Sequence, residues 1–135
     1  MSENQDRRIE EFLAQPGFAV AGASTNREKY GNKVVRAYRQ SGRTVYPINP
    51  KEPEIESEKA YPDIASVPTD AFALSVVTPP GVTLRIVAQA LDRGVRHIWM
   101  QPGAENEEAV RLAEAAGASL IHGGPCVLVA LGYRE

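Results

Sequence analysis

The sequence predicts a three-layer, doubly wound α/β fold on a mainly parallel sheet. Strand signals recur at 18–21 (FAVA), 71–77 (AFALSVV) and 95–100 (VRHIWM), the first a continuous apolar run of the kind found in strands covered on both faces. The stretches that follow them space their apolar residues as one face of a helix, at Val34, Val35 and Tyr38 and again at Val82, Ile86, Val87 and Ala90. Strand and helix signals alternate along nearly the whole chain, which calls for a parallel sheet with helices on both faces.

Ser2-Glu3-Asn4-Gln5 has capping-box spacing. Ile9, Phe12 and Leu13 then share a face, and Pro16-Gly17 ends an accessory helix within residues 1–16. After the first strand, Gly22, Ala23 and Ser24 allow a tight turn and leave room for a ligand. A polar loop leads to a helix starting near Gly31 or Asn32, with Ala37 and Tyr38 inward and Gly42 as its left-handed cap. The second strand is 43–48 (RTVYPI), followed by Asn49-Pro50-Lys51. Residues 52–58, acidic and proline-containing, read as an exposed loop, 59–62 as a very short edge strand and 63–67 as one helical turn. After strand 71–77, Thr78-Pro79-Pro80-Gly81 begins the next helix, with Pro80 at its first position, where the missing N–H costs nothing. Gly94 closes that helix. Strand 95–100 then runs into Gln101-Pro102-Gly103. A helix over 104–116 carries Glu105, Glu107 and Glu108 in its first turns, and 118–121 is the last strand.

The 135 residues make one domain, 1–135. A net charge of −2 argues against bulk electrostatic binding to nucleic acid or an anionic membrane. No apolar run approaches the roughly 20 residues that span a bilayer. The polar N-terminus is no signal peptide, and the single cysteine, Cys126, fits a reducing, cytoplasmic compartment.

A strand that feeds a helix through small residues gathers free N–H groups and the positive end of a helix dipole at one spot, which suits a phosphate. In doubly wound sheets ligands bind beyond the carboxyl ends of the strands, where strand order reverses. The turns predicted to meet there are 22–30, 49–51, 78–81 and 101–103. The first is not G-x-G-x-x-G: Gly31 is the next glycine after Gly22, and the longer loop between them carries Arg27 and Lys29, suited to wrap a diphosphate. NAD sites usually place an acidic residue near the end of the second strand. Here Asn49-Pro50-Lys51 occupies that place, and a lysine there attracts a phosphate on the ribose. Two ligands meet the description, NADP and coenzyme A. Three glutamates make the fourth turn a poor phosphate site, so the anion is expected at the helix near Gly31.

With VAGAS (20–24), YPINPK (46–51), KAYPDIASVP (59–68), VVTPP (76–80) and WMQPGAENEEA (99–109) in this order, the chain resembles the small single-domain CoA-binding proteins, similar to the nucleotide-binding domain of the succinyl-CoA synthetase alpha subunit. The resemblance implies a Rossmann-like fold that binds coenzyme A. It implies that Gly22, Ala23, Ser24 and Thr25 face the diphosphate, that Asn49, Pro50 and Lys51 face the adenosine and its phosphate, that Thr78 and Pro79 flank the adenine or diphosphate, and that Gln101 lies nearer the pantetheine. The apolar 127–131 stretch departs from the family's polar tail and is expected to pack on the body or on a second subunit.

No catalytic set and no metal site are read. His97 lies inside a strand and is expected to be packed or on the surface. His122, in a glycine-rich loop, is a weaker ligand candidate, and Cys126 reads as a small buried side chain. The expected function is a stand-alone, non-catalytic carrier, sensor or regulatory module for CoA or acyl-CoA, with a homo-oligomer or protein partner open to it. The alternatives are an NADP-dependent reductase and an interaction module with a vestigial nucleotide cleft.

Overall fold

A computed structural model describes residues 3–68 and 72–135. It has a five-stranded parallel sheet in the order β2-β1-β5-β6-β7, with helices on both faces. The predicted doubly wound class is the one observed. The elements are α1 (Glu3–Leu13), β1 (Phe18–Ala21), α2 (Tyr30–Gln40), β2 (Val45–Ile48), β3 (Glu54–Ile55), β4 (Glu58–Lys59), β5 (Ala73–Val76), α3 (Pro80–Asp92), β6 (His97–Met100), α4 (Glu107–Ala115), β7 (Ser119–Ile121) and α5 (Val127–Ala130). Ser2 of the capping box and Ala71 of the third predicted strand lie outside the described residues.

Alternation along each strand sends side chains to two cores. Ala19, Ala21, Leu74, Val76, Ile98 and Met100 pack with Val87 and Ala90 of α3 and with Ala109 and Ala113 of α4. Phe18, Val20, Ala73, Trp99 and Ile121 face the other way, onto Phe12 of α1, onto Val34, Val35 and Tyr38 of α2, and onto Val127 of α5. The apolar 127–131 stretch therefore packs on the body, with Leu128 and Leu131 partly buried and Val129 left 81% exposed. Ser75 is the polar exception in the second core, and the Tyr38 hydroxyl meets it at 2.6 Å. Burial pushes the Tyr38 phenol well above its usual range.

Three expectations need correcting. Residues 52–58 are not an exposed loop. They form an antiparallel hairpin, β3 with β4, and Ile55 is buried in the second core. Its turn uses Glu56 (φ 50°) and Ser57 (φ 66°), left-handed residues without the glycine or asparagine that usually announces such a turn. Next, α4 begins at Glu107, because the Asn106 side chain accepts the Ala109 N–H and caps it there. Glu105 lies before the helix and accepts the Gly103 N–H instead. Last, in the 59–62 stretch Lys59 belongs to β4 and Tyr61 makes a parallel bridge to Ile48. The helical turn expected at 63–67 is a short 3-10 turn over Ile64–Ser66, capped by Asp63.

Candidate functional site

Strand order reverses between β1 and β5: the chain leaves β1 toward β2 on one side and returns to β5 on the other. At the carboxyl ends of these strands the β1 turn and the β5 turn touch. Gly22 adopts φ +91°, and a Cβ there would sit 2.9 Å from the Val77 carbonyl carbon. A Cβ on Gly31 would overlap the Gly22 carbonyl oxygen, so α2 enters directly against the turn. Both glycines are backbone-contact positions.

Two clefts open on either side of this ridge and share Gly22, Ala23, Asn49 and Thr78 in their walls. The larger, about 480 Å³, also takes in Ser24, Lys29, Tyr30, Gly31 and Pro79. The smaller, about 290 Å³, takes in Pro50 of the β2 tip and residues of α3. Eight of the residues predicted to bind ligand line the larger cleft (Gly22, Ala23, Ser24, Lys29, Gly31, Asn49, Thr78 and Pro79), and Pro50 lines the smaller. Thr25, Arg27, Lys51 and Gln101 line neither.

The loop from Ser24 to Lys29 is held by side chains. Ser24 Oγ accepts the Asn26 N–H (3.0 Å), and Asn26 Oδ1 accepts the Glu28 N–H (3.0 Å). Asn49 Nδ2 donates to the Ala23 carbonyl at 2.9 Å, while its Oδ1 accepts the N–H groups of Lys51 and Glu52. The carbonyl of Ala23 is thus engaged, and that of Ser24 accepts from Asn32. Among the described residues the N–H groups of Ala23, Ser24 and Thr25 take no partner within the protein. Unpaired N–H groups beside a helix start free of acidic residues form a cradle for an anion.

Asn32, which sequence reasoning saw only as a helix start, is fully buried and ties the loop down. Its Nδ2 donates to the Ser24 carbonyl (2.9 Å) and to Glu56 Oε2 (3.1 Å), and its Oδ1 accepts Arg36 Nε (2.7 Å). Glu56 reaches over from the hairpin to pair with Arg27 at 2.6 Å. Arg27 therefore spends its charge on the hairpin. Burial pushes the Glu56 carboxyl up, but the hydrogen bond from Asn32 and the charge and hydrogen bond of Arg27, with Arg36 behind them, outweigh it and hold the group below its ordinary 4.5. A depressed carboxyl stabilises the fold above its unfolded value, and that contribution is lost as pH falls through the folded one. The urea midpoint of the wild type is expected to fall more steeply than that of Glu56→Gln as pH drops below 4.5. Parallel pH profiles would dismiss the latch.

Behind the larger cleft stands a second group. The Tyr30 hydroxyl lies 3.0 Å from Gln101 Oε1 and 2.7 Å from Cys126 Sγ. Gln101 is fully buried, and its Oε1 also accepts the Val127 N–H. Burial, with the thiol beside it, pushes the Tyr30 phenol far above its usual range, so it stays a neutral donor. Cys126 is half-buried rather than sealed in the core. Thr78 turns its hydroxyl to Thr83 at 2.8 Å, and Thr83 bonds the Ala104 carbonyl. His97 is half-buried at the start of β6, and His122 faces a separate groove with Glu105, Glu107 and Arg111.

Among the described residues no group of three His, Cys, Asp or Glu side chains converges on a metal position, and no helix is long and apolar enough to cross a membrane.

The profile of a family described as a CoA binding domain matches residues 17–132. The alpha subunit of ADP-forming acetate–CoA ligase II from Pyrococcus furiosus is 26% identical over 130 residues, covering 88% of this chain and 28% of the ligase subunit. The chain thus spans less than a third of that relative. A hypothetical protein from Pyrococcus horikoshii OT3 superposes with a TM-score of 0.86 at 28% identity, covering 93% of this chain and 87% of that one. A conserved hypothetical protein from Pyrococcus furiosus superposes with a TM-score of 0.80 at 38% identity, covering 84% and 97%.

Proposed function

Because this chain belongs to the CoA binding domain family, we propose that it takes coenzyme A, or an acyl-CoA, across the ridge between its two clefts. It does so as a cytoplasmic carrier, sensor or regulatory module with no chemistry of its own. The observation that carries this reading is the anion cradle at Ala23–Thr25, with Lys29 on the same cleft and no carboxylate in the first turn of α2. The diphosphate rests on those N–H groups. The adenosine takes the smaller cleft past Asn49 and Pro50, with Lys51 next along the chain, and Thr78 and Pro79 stand between the two arms. The pantetheine runs along the larger cleft toward Tyr30, behind which Gln101 is buried. A ligand of this size suits two adjoining clefts better than either alone.

Titration with CoA is expected to raise stability by about 2.7 kcal/mol once free ligand reaches roughly a hundred times its Kd, with one site by calorimetry. NADPH at the same concentrations is expected to give no shift. A protein that ignores CoA, or that prefers NADPH, would end this reading.

A further inference from the structure

The smaller cleft holds a cation that the motif reading passed over. Arg85 lies in the second turn of α3 and lines this cleft together with Asn49 and Pro50 of the β2 tip. Three other arginines are committed within the protein. Arg27 pairs with Glu56, Arg36 bonds Asn32 and the Arg27 carbonyl, and Arg93, just after α3, bonds the carbonyls of Ile64 and Val67. Arg85 is exposed and, among the described residues, forms no ion pair or hydrogen bond within the protein. Ile48, Val82 and Ile86 give the same cleft apolar walls, suited to the flat face of a purine. Asp63 also borders it and caps the 3-10 turn through its Oδ1, 2.9 Å from the Ser66 N–H. A phosphate entering beside that carboxylate needs a cation in the same cleft.

We propose that Arg85 is a specificity residue of the CoA site: its guanidinium, projecting from α3, takes the phosphate on the adenosine ribose, with Lys51 completing the clamp from the tip of β2. The inference rests on the CoA reading and names what that site selects, a ribose that carries a phosphate. A guanidinium offers a fork that matches phosphate oxygens two at a time, whereas a strand-tip lysine acts as a point charge.

Calorimetry with CoA and with dephospho-CoA, on the wild type, Arg85→Ala and Arg85→Gln, tests it. The wild type is expected to prefer CoA. Both variants are expected to bind CoA about tenfold or more weakly while holding dephospho-CoA within about twofold. Arg85 is exposed on a helix and alanine is the best helix former, so an unchanged urea midpoint is expected and separates binding from folding. Variants that keep the wild-type preference, or that lose both ligands equally, overturn the role of Arg85 and leave the CoA reading standing. A wild type that binds neither ligand overturns both.

Discussion

Gly31→Ala is expected to destabilise the chain by about 3 kcal/mol or more and to abolish CoA binding. Two effects oppose each other at this position. Alanine is a better helix former than glycine by about 1 kcal/mol, and Gly31 lies in the first turn of α2 with helical backbone. Against that, the new methyl would overlap the carbonyl oxygen of Gly22 and press on the Cα of Ala23. Overpacking against side chains costs about 1–3 kcal/mol because they can shift. Here the obstacle is backbone, and it is pinned: Gly22 is itself wedged against Val77, and Ala23 is held by Asn49. The clash therefore outweighs the propensity gain, and relief requires α2 to move away from the β1 turn. That movement separates the helix start from the N–H groups of Ala23, Ser24 and Thr25, which is why binding is lost along with stability. Urea denaturation and CoA calorimetry on the same preparations check it. Gly42→Ala is the control, a left-handed position with open space around its Cβ, where about 1–2 kcal/mol of backbone strain is expected with binding intact. A Gly31→Ala protein that unfolds within about 0.5 kcal/mol of wild type and still binds CoA would refute the close-approach account.

The sequence made the glycine's place clear and its purpose obscure. That a small residue stands at the α2 start follows from counting along the chain. That it faces the carbonyl of Gly22 depends on how closely α2 docks on β1, which no local pattern encodes. The same division runs through the molecule. β1 was legible because a parallel strand buried on both faces is an unbroken apolar run, and the other sheet strands because apolar residues dominate their short spans even with Ser75, His97 and Ser119 among them. The Pro80 helix start was legible because proline suits that position. The 54–59 hairpin was not, since its two-residue strands have no periodicity and its left-handed turn uses Glu56 and Ser57. Glu56 and its bond to Asn32 were missed for a related reason: they meet only because the hairpin folds over the loop, a contact between segments 24 residues apart. Arg85 is not among the apolar residues that mark this helix in the sequence, and only the packing of α3 beside the β2 tip makes it a wall of a cleft. Motif reading named the small residues and the β2 tip, and of these Gly22, Ala23, Ser24, Asn49 and Pro50 line the two clefts. The side chains that brace them, and Arg85 on the smaller cleft, came from tertiary structure.

Trp99→Ala is expected to cost about 3–5 kcal/mol, the range for removing a fully buried large aromatic, against a total stability of about 5–15 kcal/mol for a domain of this kind. Trp99 has no exposed surface. Its ring meets Phe12 edge-on, with centroids 5.3 Å apart, and so joins α1 to the sheet. Its Nε1–H donates to the Pro125 carbonyl at 3.0 Å, the residue before Cys126. One side chain thus fixes the accessory helix and the loop that delivers Cys126 to Tyr30. Trp99→Phe separates the two roles. It keeps an aromatic ring for Phe12 but loses the bond to Pro125, so a smaller loss of about 1–3 kcal/mol is expected from the orphaned carbonyl and the reduced volume. In both variants the loop before α5 loses its anchor, and the Cys126 thiol, already half-buried, is expected to react faster with iodoacetamide than in the wild type under native conditions. If Trp99→Phe loosened the core yet left Cys126 alkylation unchanged, the loop would be held by the Gln101–Val127 bond rather than by the indole. If Trp99→Ala cost less than about 1 kcal/mol, the ring would not be the tie between α1 and the sheet that its burial implies.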